Sequence, residues 1–538
     1  MPSTPTTKSQ VQAYRFVLRR MQSALVRKDA VMLHDPMRTH TRATVVGICL
    51  AAVGVVGFLI WGLLSQDPKP PDEGIVISKQ SGQVYVLINE PRQLIPTFNL
   101  ASARLLLFSR QNPGAEQQGG TATQIRAGNT GVVQPTMVDE DELRDIPRGR
   151  LTGIQNGPSV LPGNDQRIAS QWAVCDEYIL DRSLNNPASE NRVETTVLAG
   201  VAELGPELTL TTALLVQAPD DTAYLVYRTP ETANIRNANA VRAKVDMSKG
   251  AVRAALNLDA GSLRKITIGM LNAIPEAPEL RPPPIRGSGE TPAGFSVQNL
   301  KVGAVFQVER AGAAEQDIYV VQRDGIEPIK RSTADLIRFT ESLNAREIPT
   351  VPPSAITQVP NKNVDVIEDD DFPAAQPEIL TPVSNRVACL GWTVRGEGDN
   401  AESHTAVHVG IEVPLPRKAD GSRYTSVGIS TPGANGQRID HFFMPPGRAA
   451  VVRGASSKVD FGTGPIYLVS DTGVKYGVPD LQTAEVLGLS NQIPAYLAIT
   501  DLLPNGAQLS AQAVKQTYDS VPVAPGVFPT GQAGVGGN

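Results

Sequence analysis

A single uncharged stretch, Val45 to Leu64, constrains this chain more than any other feature of its sequence. Its twenty residues (VVGICLAAVGVVGFLIWGLL) contain no Asp, Glu, Lys or Arg. At a rise of about 1.5 Å per residue, a helix of this length reaches about 30 Å, the thickness of a bilayer's hydrocarbon core. A buried core helix is the alternative, but such helices rarely run so long without one charge. The stretch therefore predicts a transmembrane helix over residues 45–64.

Charge is distributed unequally on the two sides of this helix. Residues 1–44 hold eight Lys and Arg against two Asp, a net charge of +6, and because the whole chain carries −5, the residues after the helix carry −11. Lys and Arg flanking a span mark its cytoplasmic side. The N-terminus is thus predicted to be cytoplasmic and the large C-terminal part to lie outside. A cleaved signal peptide would have a shorter apolar region and a small-residue cleavage site, so an uncleaved single-pass anchor is favoured.

The positions of the three cysteines in the sequence support export of the C-terminal part. Cys49 lies in the apolar stretch, whereas Cys175 and Cys389 both follow it. Two cysteines alone in an oxidising compartment usually pair. The sequence therefore predicts a Cys175–Cys389 disulfide, and the alternative is two buried thiols that never meet.

The segment before the span carries an amphipathic pattern. Its apolar residues recur at spacings of 3, 4, 3 and 4, which places them on one face of a helix, with Ser9 as a possible N-cap. A short helix does not bury such a stripe alone. We expect a partner protein to cover it, with an anionic lipid surface as the second choice. The residues of this docking stripe are Val11, Tyr14, Leu18, Met21 and Leu25.

A pattern of strand, tight turn, strand and helix recurs four times in the exported part. Each copy begins with an aromatic–aliphatic triplet, and turns such as Asp324-Gly325 are strong hairpin signals. The second copy has a longer spacing to its following proline, so an insertion is predicted within residues 233–261. The signature tyrosines are Tyr85, Tyr224, Tyr319 and Tyr467. The predicted helices are residues 102–108, 267–271, 333–343 and 483–489.

These patterns predict an α+β fold: a single transmembrane helix, then an elongated region of four repeats around a β-rich central domain. Each half of that domain holds one cysteine, with repeats 2 and 3 between the halves and repeats 1 and 4 towards the two chain ends. The predicted division is arm 1–44, transmembrane helix 45–64, stalk 65–73, repeat 1 74–130, first central half 148–217, repeat 2 218–280, linker 281–293, repeat 3 294–349, linker 350–381, second central half 382–453, repeat 4 454–518 and flexible tail 519–538.

Motifs of common catalytic sites are missing from the sequence. It contains no G-x-x-x-x-G-K-[ST] phosphate loop, no H-E-x-x-H and no G-x-S-x-G. His404 and His408 lie in a strand-like segment, where four-residue spacing places them about 13 Å apart, too far for one metal ion. The acidic run 368–371 is interpreted as a solvated loop, and His441 as a packing residue. We therefore predict no catalytic, cofactor-binding or metal-binding residues. The negative net charge of the exported part also argues against binding of nucleic acid.

Several motifs together give the chain a strong resemblance to a known family. They are spread from residue 10 to residue 477, and in combination they resemble EccB, a membrane component of the ESX type VII secretion systems of mycobacteria and related actinobacteria. The residues that carry the resemblance are Gln10–Phe16 (QVQAYRF), Asp35–Thr39 (DPMRT), Leu100–Leu105 (LASARL), Trp172–Asp176 (WAVCD), Asn272–Pro278 (NAIPEAP) and Val469–Gly477 (VSDTGVKYG).

The resemblance implies a structural role in a secretion machine of the inner membrane. Family members assemble with EccC, EccD and EccE, and their periplasmic domains associate with one another. The basic arm would then be cytoplasmic and the C-terminal domain periplasmic. The family's repeats also resemble cell-wall-binding modules of a phage lysin, which suggests a peptidoglycan contact.

Two alternatives to a scaffold belong to other classes of protein. Family members are often labelled ATPases, but this sequence departs from what that label needs, because the phosphate loop is missing. An enzyme, either a nucleotide hydrolase (ATPase) associated with the secretion complex or a cell-wall hydrolase, is kept as one alternative, and a peptidoglycan-binding module as the other.

Overall fold

A computed structural model describes most of the chain. Its contacts divide the chain into two units, residues 1–70 and 71–538, and each unit is described by itself. The described residues are 7–28, 36–64, 69–111, 132–180, 192–229, 239–309, 316–340, 347–361, 367–396, 398–433 and 436–519.

Among its described residues, the first unit has two helices, α1 (Lys8–Arg27) and α2 (Pro36–Leu64). Helix α1 begins with a capping box, in which the Gln10 amide donates to Thr7 Oγ1 (3.4 Å) and the Thr7 amide donates to Gln10 Oε1 (3.0 Å). The cap is therefore Thr7 rather than the predicted Ser9, which lies inside the first turn. Within α2, Thr41–Gly62 is long and apolar enough to cross a membrane, and all its side chains are exposed in the isolated chain.

All four repeats of the second unit share one topology. Three antiparallel strands are followed by a helix, and a fourth strand then returns parallel to the first. The signature tyrosine lies on the second strand in each case. Because the triplet marks the second strand, the sequence pattern missed both the strand before it and the short closing strand.

The first half of the chain holds repeats 1 and 2, with two long strands between them. Repeat 1 consists of β1 (Gly74–Ser78), β2 (Val84–Asn89), β3 (Arg92–Thr97), α3 (Leu100–Gln111) and β4 (Thr136–Val138), followed by α4 (Glu140–Leu143) and β5 (Leu151–Thr152). The central strands are β6 (Gln171–Ile179) and β7 (Arg192–Ala199). Repeat 2 consists of β8 (Thr212–Gln217), β9 (Ala223–Arg228), β10 (Ala240–Val245), α5 (Gly250–Leu256) and β11 (Arg264–Lys265), followed by α6 (Ile268–Ala273) and β12 (Glu276–Ala277).

The second half follows the same plan. Repeat 3 consists of β13 (Val305–Val308), β14 (Asp317–Val321), β15 (Ile326–Pro328), α7 (Arg331–Thr340) and β16 (Thr350–Val351). The strands β17 (Glu378–Ile379), β18 (Val387–Arg395), β19 (Glu402–Gly410), β20 (Val427–Gly428) and β21 (His441–Phe443) come next. Repeat 4 consists of β22 (Ala449–Ala455), α8 (Asp460–Thr463), β23 (Ile466–Ser470), β24 (Lys475–Val478), α9 (Leu481–Leu487) and β25 (Ile493–Tyr496), followed by α10 (Leu497–Thr500) and β26 (Thr517–Tyr518). Single 3₁₀ turns cover Asn164–Gln166, Ala260–Ser262, Pro353–Ala355, Gly398–Asn400 and Ala513–Lys515.

Repeat 2 differs from its sequence prediction. Its helix is α5, not residues 267–271, and the predicted insertion at 233–261 contains the third strand and this helix. Residues 267–271 belong instead to the short helix α6, which follows the closing strand as α10 does in repeat 4. The prediction of an insertion was therefore wrong. In repeat 2, the proline used to align the copies follows α6 rather than the repeat helix α5.

The repeats pack in pairs through their helices. Helix α3 of repeat 1 contacts α9 of repeat 4, and α5 of repeat 2 contacts α7 of repeat 3. Repeats 1 and 4 share one apolar core, to which Leu105 and Leu487 both belong. The Arg104 guanidinium of α3 donates to the Leu487 carbonyl at the end of α9 (2.7 Å), so it satisfies a terminal carbonyl of the partner helix. Repeats at the two chain ends are thus neighbours.

The central sheet joins the two halves. Its strand order is β19-β18-β6-β7-β21-β20, and the adjacent strands β18 and β6, which come from opposite halves of the chain, pair antiparallel. Each half contributes one antiparallel pair, β6–β7 or β18–β19, so the four strands β19-β18-β6-β7 obey an approximate two-fold axis. One face of this sheet packs on repeats 2 and 4 in a single apolar cluster. The α+β class, with four repeats around a β-rich central domain, is confirmed.

Several strands pair across the boundaries that the sequence suggested. Strand β8 lies in the predicted first central half and β22 in the second, but each is the first strand of a repeat sheet. The predicted linker 350–381 contributes β16 to repeat 3 and β17, which pairs with β8 of repeat 2. Hydrogen-bonded pairing therefore places the first residues of repeats 2 and 4 several positions earlier than the boundaries predicted from the triplets.

The acidic run is only partly a solvated loop, since Glu368 and Asp370 are exposed but the other two carboxylates are not. Asp369 and Asp371 are buried, and Asp369 Oδ2 accepts hydrogen bonds from the Lys330 amide and Thr333 Oγ1, both at 2.7 Å. Lys330 precedes the first residue of α7, so the Asp369 carboxylate caps that helix from a distant part of the chain. Because a carboxylate at a helix N-terminus also meets the positive end of the helix dipole, burial of this charge is compensated.

Replacing Asp369 by Ala removes this cap. We expect a loss of about 2 kcal/mol in the local stability of α7, since both donors become unsatisfied inside the protein. Hydrogen exchange of residues 316–340 in the full-length protein measures it. Glu368→Ala, an exposed neighbour, is the control and should leave exchange unchanged; equal effects of both variants would show that the cap contributes nothing.

Candidate functional site: the exposed arm and the disulfide-linked centre

The five residues of the docking stripe all lie on α1 and are exposed. Their fractional exposures run from 37% for Leu18 to 82% for Leu25. No residue of the described helix α1 is buried. At 100° per residue, Arg19, Arg20 and Arg27 lie away from the stripe, so the helix presents an apolar face and a basic face. Such a surface suits an apolar groove with acidic margins or an anionic lipid surface.

Cys175 and Cys389 are bonded to each other between β6 and β18, where the two halves of the central sheet meet. Their sulfur atoms lie 2.09 Å apart, and the two residues are directly opposite in the β6–β18 pairing. Both side chains are inaccessible to solvent. Because one cysteine comes from each half, the disulfide lies at the approximate two-fold axis and fixes the register of the two hairpins.

The sheet face that packs against repeats 2 and 4 is called the inner face, and the opposite one the outer face. On the inner face, aromatic side chains surround the same axis. Trp172 of β6 is opposite Trp392 of β18. Trp392 stacks on Tyr496 of repeat 4 (5.8 Å between ring centroids), and the Tyr496 hydroxyl donates to the Ala273 carbonyl of α6 (3.0 Å). The pair thus connects the central sheet to both repeats that pack against it.

A buried carboxylate, Asp176, sits beside the disulfide. It accepts hydrogen bonds from the Thr267 amide (2.7 Å), the Thr267 hydroxyl (2.9 Å) and the Thr195 hydroxyl (2.8 Å). Burial raises the pKa of this carboxyl, against these hydrogen bonds and the nearby Arg264. Burial also lowers the pKa of Arg264 to about 10, and its guanidinium donates to the Asn385 and Arg386 carbonyls, both at 2.8 Å. This network attaches α6 to the sheet.

The outer face of the sheet carries a small charged cluster. Glu177 of β6 lies opposite Glu194 of β7, and His441 Nε2 is 3.7 Å from a Glu194 oxygen. Burial raises the pKa of Glu177, Arg386 opposes this effect, and the carboxylates of Glu194 and Glu412 add to it. His441 is half-buried, so its predicted role in packing is incomplete, whereas the two phenylalanines after it are buried.

The signature tyrosines are not brought together. Each lies on the sheet face opposite its own repeat helix. Their ring partners are Arg148 for Tyr85 (4.9 Å), Arg242 for Tyr224 (5.4 Å), Lys475 for Tyr467 (4.6 Å) and the stacked Phe306 for Tyr319 (5.6 Å). Their recurrence therefore reflects packing of one sheet face, with cation–π contacts in three copies.

His404 and His408 also serve separate contacts. Both lie on strand β19, as the sequence pattern indicated. His404 Nε2 is 3.1 Å from Asn239 Nδ2, and His408 Nδ1 is 2.9 Å from the Gly205 carbonyl oxygen. Burial lowers the pKa of His404. Among the residues that the structure describes, no group of three His, Cys, Asp or Glu side chains could hold a metal ion.

Comparison with known proteins identifies the family. A family model described as type VII secretion system ESX-1, transport TM domain B, matches residues 3–523. The chain belongs to the EccB family. As an EccB protein, it is a structural component of a type VII secretion membrane complex, and the resemblance of its motifs is confirmed.

One EccB relative and two solved structures illustrate the match. The relative, named ESX-3 secretion system ATPase EccB3, from Mycolicibacterium smegmatis, is 30% identical over 96% of this chain and 92% of its own. A chain of an intact ESX-5 inner membrane complex aligns with a TM-score of 0.65 and 22% identity, covering 98% of both chains. A chain from the structure of an EccB3 dimer from the ESX-3 core complex aligns with a TM-score of 0.63 and 26% identity, covering 82% of this chain and all of that one.

Removing the disulfide tests its place in this EccB fold. Cys175→Ala combined with Cys389→Ala frees a loop closed over 214 residues, and we expect a loss of about 2–5 kcal/mol and a lower melting temperature. Calorimetry of the full-length protein in mild detergent measures the change. Cys49→Ala, which lies in the apolar helix, is the matched control; an unchanged melting temperature in the double variant would contradict the stabilising role.

Proposed function

We propose that this EccB protein is a non-catalytic scaffold that anchors a type VII secretion complex, with one interaction surface on each side of the inner membrane. The observation that carries the proposal is the exposed apolar stripe of α1, next to an apolar helix long enough to span a bilayer. A large, internally cross-linked unit follows this helix. In this role α1 docks on the cytoplasmic side, and residues 71–538 pair subunits on the periplasmic side.

Charge supports this orientation. The +6 charge of residues 1–44 precedes the candidate span, and the −11 charge lies after it. Basic residues flanking a span stay in the cytoplasm. The disulfide between Cys175 and Cys389 supports an oxidising compartment for the large unit, because such bonds rarely persist in the cytosol.

Protease protection tests the orientation. In right-side-out membrane vesicles, we expect added protease to digest the C-terminal region and to leave α1 intact. In inside-out vesicles the pattern should reverse, because the bilayer then shields the other side. Antibodies against tags at the two ends report the fragments. Digestion of both ends from the same side would contradict a single span.

The partners follow from the family and from the relatives. We propose EccC-, EccD- and EccE-type subunits as the neighbours of this chain, and a second copy as the partner of its periplasmic unit. The solved EccB3 relative is described as a dimer, which supports self-association. The relative's name includes ATPase, but scaffolding needs no turnover, and the sequence contains no phosphate loop.

Charge on the apolar stripe should release the protein from its complex. Leu18→Asp with Met21→Asp puts two carboxylates into the docking stripe, and we expect at least a tenfold loss of co-purifying subunits, since each buried charge is costly without a partner. Mass spectrometry of the complex isolated in mild detergent measures the loss, and a non-reducing gel shows that the disulfide remains.

A matched pair of substitutions controls for added charge. Ser9→Asp with Gln12→Asp introduces the same charge on the opposite face of α1 and should leave the complex intact. An intact complex in both pairs would reject α1 as the docking element. Equal loss in both pairs would show that charge alone, rather than the stripe, is responsible.

A further inference from the structure

Two segments pack on the outer face of the central sheet around the disulfide, one from each half of that sheet. Beneath them lies an apolar cluster that contains both cysteines together with Leu198 and Phe443. Residues 200–208, which follow β7, contribute Val201 and Leu204 to this cluster. Residues 411–426, which follow β19, cover it from the other half; we call these residues the strap.

The segment after β7 is fixed to the sheet by hydrogen bonds. The Gly200 amide donates to the Gln171 carbonyl and the Leu208 amide to the Val407 carbonyl, both at 2.8 Å. In return, the Val409 amide donates to the Pro206 carbonyl at 2.9 Å. Opening this segment therefore breaks several bonds of the sheet edge.

The strap is held differently. Its backbone hydrogen bonds among the described residues join it to itself, including Leu415 to Val413 (2.8 Å), Lys418 to Ser422 (2.7 Å) and Tyr424 to Pro416 (3.1 Å). Its ion pair, Arg423 with Glu412, is also internal. The strap thus keeps its own bonds when it leaves the sheet.

Apolar contacts attach the strap to the cluster. Val413, Leu415 and Tyr424 pack against it while remaining partly exposed, and the Tyr424 and Phe443 rings lie 5.8 Å apart. Partly buried side chains contribute less than fully buried ones. Segments with few buried contacts and self-contained bonds open at low free energy while the rest of the fold persists.

We infer that the strap opens as a unit while the sheet stays folded, and that this opening controls the access of thiol reductants to the Cys175–Cys389 disulfide. With dithiothreitol as the reductant, its thiolate attacks one cysteine sulfur and the other cysteine leaves as a thiolate. The second thiolate of the reagent then closes the oxidised ring and releases the first cysteine. Two electrons pass to the cysteines, which take up protons from water.

Reduction kinetics of the full-length protein in mild detergent test this inference. Samples taken during incubation with dithiothreitol are alkylated with a mass-tagged maleimide, and the reduced fraction is read from a gel. We expect Leu415→Ala and Tyr424→Ala each to raise the reduction rate about tenfold, because each removes an apolar attachment. Tyr424→Phe keeps the ring and should reduce at the wild-type rate.

Two controls separate strap opening from general destabilisation. Ile411→Ala changes a strap residue that is 61% exposed and should have no effect. Leu204→Ala removes a larger apolar contact from the hydrogen-bonded segment and should raise the rate less than Leu415→Ala. Hydrogen exchange on the same samples should show fast exchange at 411–426 and protected amides in β6 and β18.

The inference is overturned if Leu415→Ala and Tyr424→Ala reduce at the wild-type rate. It is also overturned if reduction in every variant occurs only as fast as β6 and β18 lose their exchange protection, because the disulfide would then be reached by unfolding of the sheet. If either Leu415→Ala or Tyr424→Ala loses exchange protection in the sheet, the reduction rate of the other variant decides. That rate is compared with the rate of Tyr424→Phe, in which the strap is intact.

Discussion

The pairing of β6 with β18 is the interaction on which the rest of the large unit depends. These strands come from opposite halves of the chain, and their register places Cys175 directly against Cys389. A slip of one residue would turn every side chain to the other face, moving the tryptophans away from repeats 2 and 4. The disulfide excludes that slip, so the covalent bond and the apolar face specify the same register.

This central pairing explains why the repeats form cross-half pairs. Repeat 1 precedes the first hairpin and repeat 4 follows the second, and they share one core; repeats 2 and 3 form the corresponding pair. Each repeat sheet has two apolar faces, one against its own helix and one against another part of the chain. An apolar face left in water is unfavourable, so repeats 2 and 4 and the central sheet, which share one core, stabilise each other.

How much the sequence reveals depends on how local the determining contacts are. The tyrosine triplets and the tight turns could be predicted because neighbouring residues determine them. The cysteine pair could be predicted because cysteines in an oxidising compartment usually form a disulfide. The helix of repeat 2 could not be predicted, because α5 follows Lys249, which makes no side-chain cap, whereas Thr267 caps the shorter α6 by accepting from the Met270 amide (3.4 Å). The buried cap at Asp369 could not be predicted from the sequence. A linker separates Asp369 from the helix that it caps, and no local sequence rule connects the two.

The division between a cross-linked unit and an exposed helix bears on function. A scaffold must hold its binding surfaces in a fixed arrangement, and the disulfide, the paired repeats and the Asp176 network supply that rigidity in the unit that follows the candidate span. Before the candidate span, α1 carries an apolar stripe whose five residues are exposed. Exposed apolar stripes are unfavourable in water. Burying this stripe against another surface would therefore lower the free energy of the chain, as burial of an apolar face does when a subunit joins an assembly.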